Sequence, residues 1–157
     1  MSQDETGKND PLPRMSQSDA EEQARRYIDE VGDIIERHTG VRKADVRFRS
    51  CVGKNGEEAT DARYAVSYAD WFKFGVEHHN EAAEKIRAAF EKNGYTISTF
   101  RRFEKPRTSM IVEARDPKTG YFVNVESSDG SKGYPMLGMY VSSPCMIPPG
   151  EEQEQQQ

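Results

Sequence analysis

A chain of 157 residues is the length of one domain and is long enough to bury a hydrophobic core. Its apolar content is 34%, its charged content 31% and its formal net charge −5. Much of that negative charge lies in the ends, so the central part is close to neutral and has no electrostatic basis for general nucleic-acid binding. No run approaches the roughly 18 apolar residues of a membrane helix.

Residues 1–17 read as a disordered polar leader dominated by Ser, Gln, Asp, Gly, Asn and Pro. Pro11 and Pro13 oppose a helix there. Met1 opens a polar run rather than the basic and then apolar run of a signal peptide. Two expectations follow: a cytoplasmic protein, or an exported one whose signal has been removed.

A helix is predicted next. Ser18 and Glu21 form a Ser-x-x-Glu capping box. Ala24, Tyr27, Ile28, Val31, Ile34, Ile35 and His38 recur at helical spacing as one apolar stripe, and Gly40 is the expected stop. Residues 44–52 alternate as a half-buried strand, with Val46, Phe48, Ser50 and Val52 on one side and Arg47, Arg49 and Cys51 on the other. Asn55-Gly56 suits a hairpin reversal. In residues 62–74, Tyr64, Val66, Tyr68, Phe72 and Phe74 share a face interrupted by Asp70, and Ala65, Ser67, Ala69, Trp71 and Lys73 share the other.

A second helix is predicted from a cap at Asn80 to Asn93, with Ala82, Ala83, Ile86, Ala89 and Phe90 inward and Gly94 as its end. Strands follow at 95–104, 108–115, 121–127 and 136–143. Asp116-Pro117-Lys118-Thr119-Gly120 carries the residues of a hairpin turn, and Asp129-Gly130 and Gly133 mark a second loop. Pro144, Pro148 and Pro149 end regular pairing. The expected fold is α+β, with element order α-β-β-α-β-β-β-β and two helices packed on one face of an antiparallel sheet. It occupies residues 18–150 and is followed by a disordered acidic and glutamine-rich tail, 151–157.

Several side-chain groups merit a chemical reading. His78-His79 is an adjacent pair without a third ligand nearby in sequence; the ordinary reading is a solvated loop or helix cap, and the alternative is acid–base work in a small hydrolase. Glu57, Glu58 and Asp61 fit a solvated loop, because paired catalytic carboxylates need burial to separate their pKa values. Arg101, Arg102, Lys105 and Arg107, with Arg47 and Arg49, would form an anion-receiving patch if their strands were neighbours; the plainer reading pairs them with Glu104, Glu113 and Glu126. Trp71, above the small Ala65, Ser67 and Ala69, could floor a shallow groove or pack under the C-terminal segment. The segment from Gly133 to Tyr140 reads as core filling. No phosphate-cradling loop or metalloprotease motif occurs, and no catalytic residue, cofactor or metal is assigned.

Cys51 and Cys145 stand 94 positions apart and fit no zinc spacing. Paired, they would close a loop whose entropy corresponds to about 4–5 kcal/mol; unpaired, they would be buried thiols of a cytoplasmic protein. Arg49-Ser50-Cys51 in an early strand, together with Tyr140-Val141-Ser142-Ser143-Pro144-Cys145 near the end, resembles small exported lipoproteins of actinobacteria, most of uncharacterised function. The resemblance covers about residues 18–150. It implies an early-to-late disulfide, an extracellular home and a polar leader behind a lipidated cysteine. The chain has no lipobox cysteine, so membrane attachment would use an anchor that this chain lacks.

The leading expectation is therefore a monomeric, non-enzymatic surface binding domain for an unidentified protein or small ligand, using Trp71, Arg47, Arg49, Arg101 and Arg102. The alternatives are a cytoplasmic interaction protein of the immunity-inhibitor type and the hydrolase using His78 or His79.

Overall fold

The computed structural model describes residues 9–38, 40–53, 55–129, 133 and 135–156. The first eight leader residues, Gly130 of the expected loop and Tyr134 of the glycine- and methionine-rich segment lie outside them. The described residues form two α-helices and one six-stranded antiparallel sheet in the order read from the sequence. Helix α1 spans Gln17–Ile35 and α2 spans His79–Lys92. The strands are β1 Asp45–Ser50, β2 Tyr64–Lys73, β3 Thr96–Phe103, β4 Ser109–Arg115, β5 Phe122–Asp129 and β6 Pro135–Ser142.

Across the sheet the order is β1-β2-β6-β5-β4-β3. The last strand thus sits in the middle and joins the early hairpin to the later meander. Period-2 alternation sends Val66, Tyr68 and Phe72 of β2, Val112 and Ala114 of β4, Val123 and Val125 of β5, and Leu137, Met139 and Val141 of β6 into one core. Both helices cover that face, α1 over β2 and β6 and α2 over β3 and β4. Ala24, Tyr27, Ile28, Val31 and Ile35 are the buried stripe of α1; Ala82, Ala83, Ile86 and Phe90 are that of α2.

The helix ends differ from expectation. Ser16, not Ser18, caps α1: its Oγ accepts from the Asp19 N–H at 3.1 Å. The helix stops at Ile35 because Glu36 adopts a left-handed conformation, φ 59°, and His38 is exposed outside the stripe. Gly40 has another role, since a β-carbon there would meet the Asp70 carboxylate at 2.4 Å. Helix α2 begins one residue before the expected cap, after a short 3₁₀ turn over Val76–His78, and Asn80 lies in its first turn. The Asp116–Gly120 reversal forms as read, with Gly120 at φ 76° and the Asp116 N–H donating to the Tyr121 carbonyl.

Described residues on either side of 18–150 also make hydrogen bonds to one another. Arg14 and Ile147 form a parallel bridge. The Asn9 amide donates to the Gln156 carbonyl and accepts from the Gln156 N–H, while the Gln153 amide donates to the Asp10 carbonyl and accepts from the Leu12 N–H. Polar composition suggests solvation, but Asn and Gln side chains serve equally well as partners for an otherwise unpaired backbone.

Cys51 and Cys145 are bonded, with Cα atoms 6.2 Å apart. The link ties the end of β1 to the segment after β6, next to the backbone pairing of Tyr64 with Met146.

Candidate functional site

The sheet face turned away from the helices is built from the other half of each alternation. The strand register aligns Arg47, Ser67, Ser142, Phe122 and Arg115 in one row and Asp45, Ala69, Tyr140, Asn124 and Glu113 in the next. Between these rows lies a shallow depression of about 280 Å³, lined by Arg49, Ser67, Ala69, Phe122, Asn124, Tyr140 and Ser142. Its floor is low because Ser67, Ala69 and Ser142 are small. Phe122 and Tyr140 rise beside it, and the Arg49 guanidinium leans in to donate to Ser67 Oγ.

Trp71 buttresses this site rather than flooring it. Its indole N–H donates to the Tyr140 hydroxyl at 3.2 Å, and the two rings meet edge to face. The Arg42 guanidinium covers the Trp71 ring at 4.0 Å from its centroid. Tyr140 in turn lies over Gly138, where a β-carbon would come within 2.8 Å of its hydroxyl oxygen. Glycine at 138 is thus what allows the tyrosine to lie down and wall the depression.

The structure does not bring the six arginine and lysine positions into one patch. β1 and β3 are the two opposite edges of the sheet, so Arg47 and Arg49 are separated from Arg101 and Arg102 by its full width. Arg47 pairs with Asp45 at 3.2 Å. Arg102 faces the helices and pairs with Glu84 of α2 at 3.0 Å, and Arg107 pairs with Asp129 at 2.7 Å. Arg101 is exposed on the open face beside Ile111. Of the five residues expected at a ligand, Arg49 lines the depression and Trp71 supports it from behind.

The sequence singled out none of Phe122, Asn124 and Ser142 for the site, and Tyr140, which lines the open face, stood at the end of the segment read as core filling. Nothing in the sequence showed that β6 lies between β2 and β5. Among the described residues, two side-chain atoms on this face have no hydrogen-bond partner although their solvent access is closed: Asn124 Oδ1 and Arg115 Nε. Unpaired buried polar atoms each cost about 1–3 kcal/mol and call for an explanation.

The histidine pair divides. His78 is exposed near Glu77. His79, expected in a solvated loop or cap, is 1% exposed and belongs to the core. Its Nε2 lies 2.9 Å from the Phe74 carbonyl, which can only accept, so that nitrogen carries the proton. Nδ1 is then the acceptor for the Ser127 hydroxyl at 2.8 Å, and Ser127 Oγ accepts from the Met110 N–H. Burial lowers the His79 pKa and keeps the ring neutral. A serine and a histidine thus meet, but the second ring nitrogen faces a carbonyl, where a triad would place a carboxylate to stabilise the imidazolium. The pair fastens α2 to β4 and β5.

At the ends of the chain, Asp61 and Arg63 form a bidentate pair at 2.7 and 2.8 Å, with side chains 1% and 4% exposed. The loop carboxylate expected in solvent is instead covered by the C-terminal segment: the Glu154 N–H donates to Asp61 and Arg63 donates to the Glu154 carbonyl. The guanidinium holds the Asp61 pKa down at about 2.

Among the described residues, no group of three or more His, Cys, Asp or Glu is placed to hold a metal, and no helix is long and apolar enough to cross a membrane. No family model matches the chain, and no curated protein matches it.

Proposed function

We propose that this protein is an exported, non-enzymatic binding domain, tethered at the cell surface, whose working face is the helix-free side of the sheet around Arg49, Ser67, Asn124 and Tyr140. The observation that carries the reading is the depression itself. A sheet covered on one face by helices exposes a second face whose side chains need not pack, yet here a glycine, a tyrosine and a tryptophan are locked together to shape one. The Cys51–Cys145 bond supports the compartment, because such links persist in oxidising surroundings. The bonded sulfurs favour this reading over the cytoplasmic, immunity-type one, which expects reduced thiols.

The test uses the folded chain and cell envelopes of the producing organism. Wild type should be retained by the envelopes, and Ser67→Trp, which fills the depression from an exposed sheet face, should fold but wash off. Equal retention of the two proteins, or no retention of wild type, would overturn the reading.

A further inference from the structure

A sheet that does not close on itself ends in two strands, each with a row of backbone N–H and C=O groups turned outward. Here those strands are β3 and β1. β3 is guarded against further pairing. A register shift between Ile97 and Thr99 breaks its ladder, and it carries the exposed Arg101 and Arg102 with no acidic residue to answer them. β1 has no such guard. Its register against β2 is unbroken from Asp45 to Ser50, and it contains neither proline nor lysine. Among the described residues, β2 is the only strand that pairs with it.

The side chains of β1 are complementary to themselves. Asp45, Arg47 and Arg49 face the open side of the sheet, acid first and base after. Val46 and Phe48 face the helix side, in register with the buried Tyr68 and Val66. Phe48 is nevertheless 38% exposed, because α1 lies mainly over β2 and β6. An antiparallel pair sets the start of one strand against the end of the other, so a strand with acid before base can match a second copy of itself.

We infer that β1 is an interface for a second copy of this chain, the two β1 strands pairing antiparallel about a two-fold axis at Val46. That register sets Asp45 of each copy opposite Arg47 of the other. Asp45 and Arg47 also pair within the chain at 3.2 Å, so four charges alternate in sign around the axis on the open face. On the helix side the two Val46 side chains meet, and Phe48 of each copy covers the small Ala44 of the other. An axis at Asp45, Arg47 or Phe48 would instead set like charges directly opposite, and a shift between residues would set charged positions against apolar ones. Arg49 falls opposite Lys43, which precedes the strand, and its guanidinium is turned inward to Ser67 Oγ. The contact is isologous and the edges left over are the two guarded β3 strands, so assembly stops at the dimer. The depression stays open on both molecules, and the dimer therefore stands or falls independently of the proposed binding face.

Sedimentation velocity of the full, oxidised chain at concentrations up to about 1 mM tests this, because a ladder this short is a small, weak interface. Wild type should pass from monomer to dimer as concentration rises and go no further. Asp45→Arg and Arg47→Asp should each weaken self-association at least about tenfold, since symmetry turns both cross-strand ion pairs into like-charge pairs. Mixed in equal amounts, the two variants should regain a dimer close to wild type in strength, because two positive positions then face two negative ones. Mixing cannot mend a loss that comes from misfolding. Phe48→Lys should also stay monomeric. A wild type that remains monomeric throughout, growth beyond the dimer, or a mixture that associates no better than each variant alone would overturn the inference.

Discussion

Asp61 and Asp70 lie nine positions apart around the same strand, and their environments push them in opposite directions. Asp61 is held at about 2, first by its hydrogen bonds from Arg63. A folded pKa below the unfolded value means that the unfolded chain binds protons first, so this group's stabilisation is complete above about pH 4 and is lost as pH falls toward 2. At pH 7, Asp61→Asn should lower the unfolding free energy by about 2 kcal/mol, since it also leaves a buried guanidinium without its anion. Urea titrations at pH 7 and pH 3 check this; the gap between wild type and variant should shrink at the lower pH.

Asp70 sits on the helix-facing side of β2, against Gly40, and burial raises its pKa, with Asp29 of α1 adding repulsion. Here the sign reverses. The folded state prefers the protonated form, so the group costs stability as pH rises through and above the carboxylate range. Asp70→Asn removes the charge but keeps an oxygen for the Trp71 N–H, which Asp70 accepts at 2.9 Å. It should stabilise the protein by about 0.5–1 kcal/mol at pH 7 and by little at pH 3, seen in the same titrations.

At the level of elements, the apolar periodicities carried most of the information. Tyr64, Val66, Tyr68 and Phe72 alternate because one face of β2 must leave water, and Ala24, Tyr27, Ile28 and Val31 repeat at helical spacing for the same reason; both patterns could be read without coordinates. Strand order could not. Which strands lie side by side is decided by long-range pairings such as Tyr68 with Val141, and no local signal encodes that β6 inserts between β2 and β5. The arginines of β1 and β3 were therefore not readable as opposite edges, and Phe122 and Asn124 were not readable as neighbours of Ser67. His79 escaped for a related reason: its partners, Phe74 and Ser127, come from two different strand ends, and only their convergence makes burial affordable.

Cap positions belong to this scale as well. Both Ser16 and Ser18 satisfy the composition rule for a helix start, but Ser16 has the extended backbone, φ −68° and ψ 155°, and holds the Asp19 N–H. Ser16→Ala should cost about 1 kcal/mol. Ser18→Ala, inside the first turn, should change stability by under about 0.5 kcal/mol. Thermal unfolding of the two variants separates the assignments, and a larger effect at Ser18 would return the cap to the capping box.

For the molecule as a whole, the question is what keeps a sheet assembled from distant segments closed at the β1–β2–β6 end. Three devices meet there. Residues 9–15 run beside the segment after β6, the buried Asp61–Arg63 pair is roofed by residue 154, and the Cys51–Cys145 bond spans β2. The first two operate only in the folded state. The third acts on the unfolded chain by closing a loop across a separation of 94 positions, which removes entropy worth about 4–5 kcal/mol.

That is a large share of the 5–15 kcal/mol typical of a domain. Cys51→Ala/Cys145→Ala should therefore lower the unfolding free energy by about 3–5 kcal/mol, and wild type under reducing agent should fall by a similar amount, both read by urea denaturation. Because the bond acts on the unfolded chain, native-state hydrogen exchange should show that same loss in every amide that exchanges only through whole-molecule unfolding. Strand β4, paired on both sides and held under α2 far from the bond, should be among them. Unchanged protection in β4, with loss confined to β1 and residues 143–147, would show instead that the bond only holds that end of the sheet against local opening.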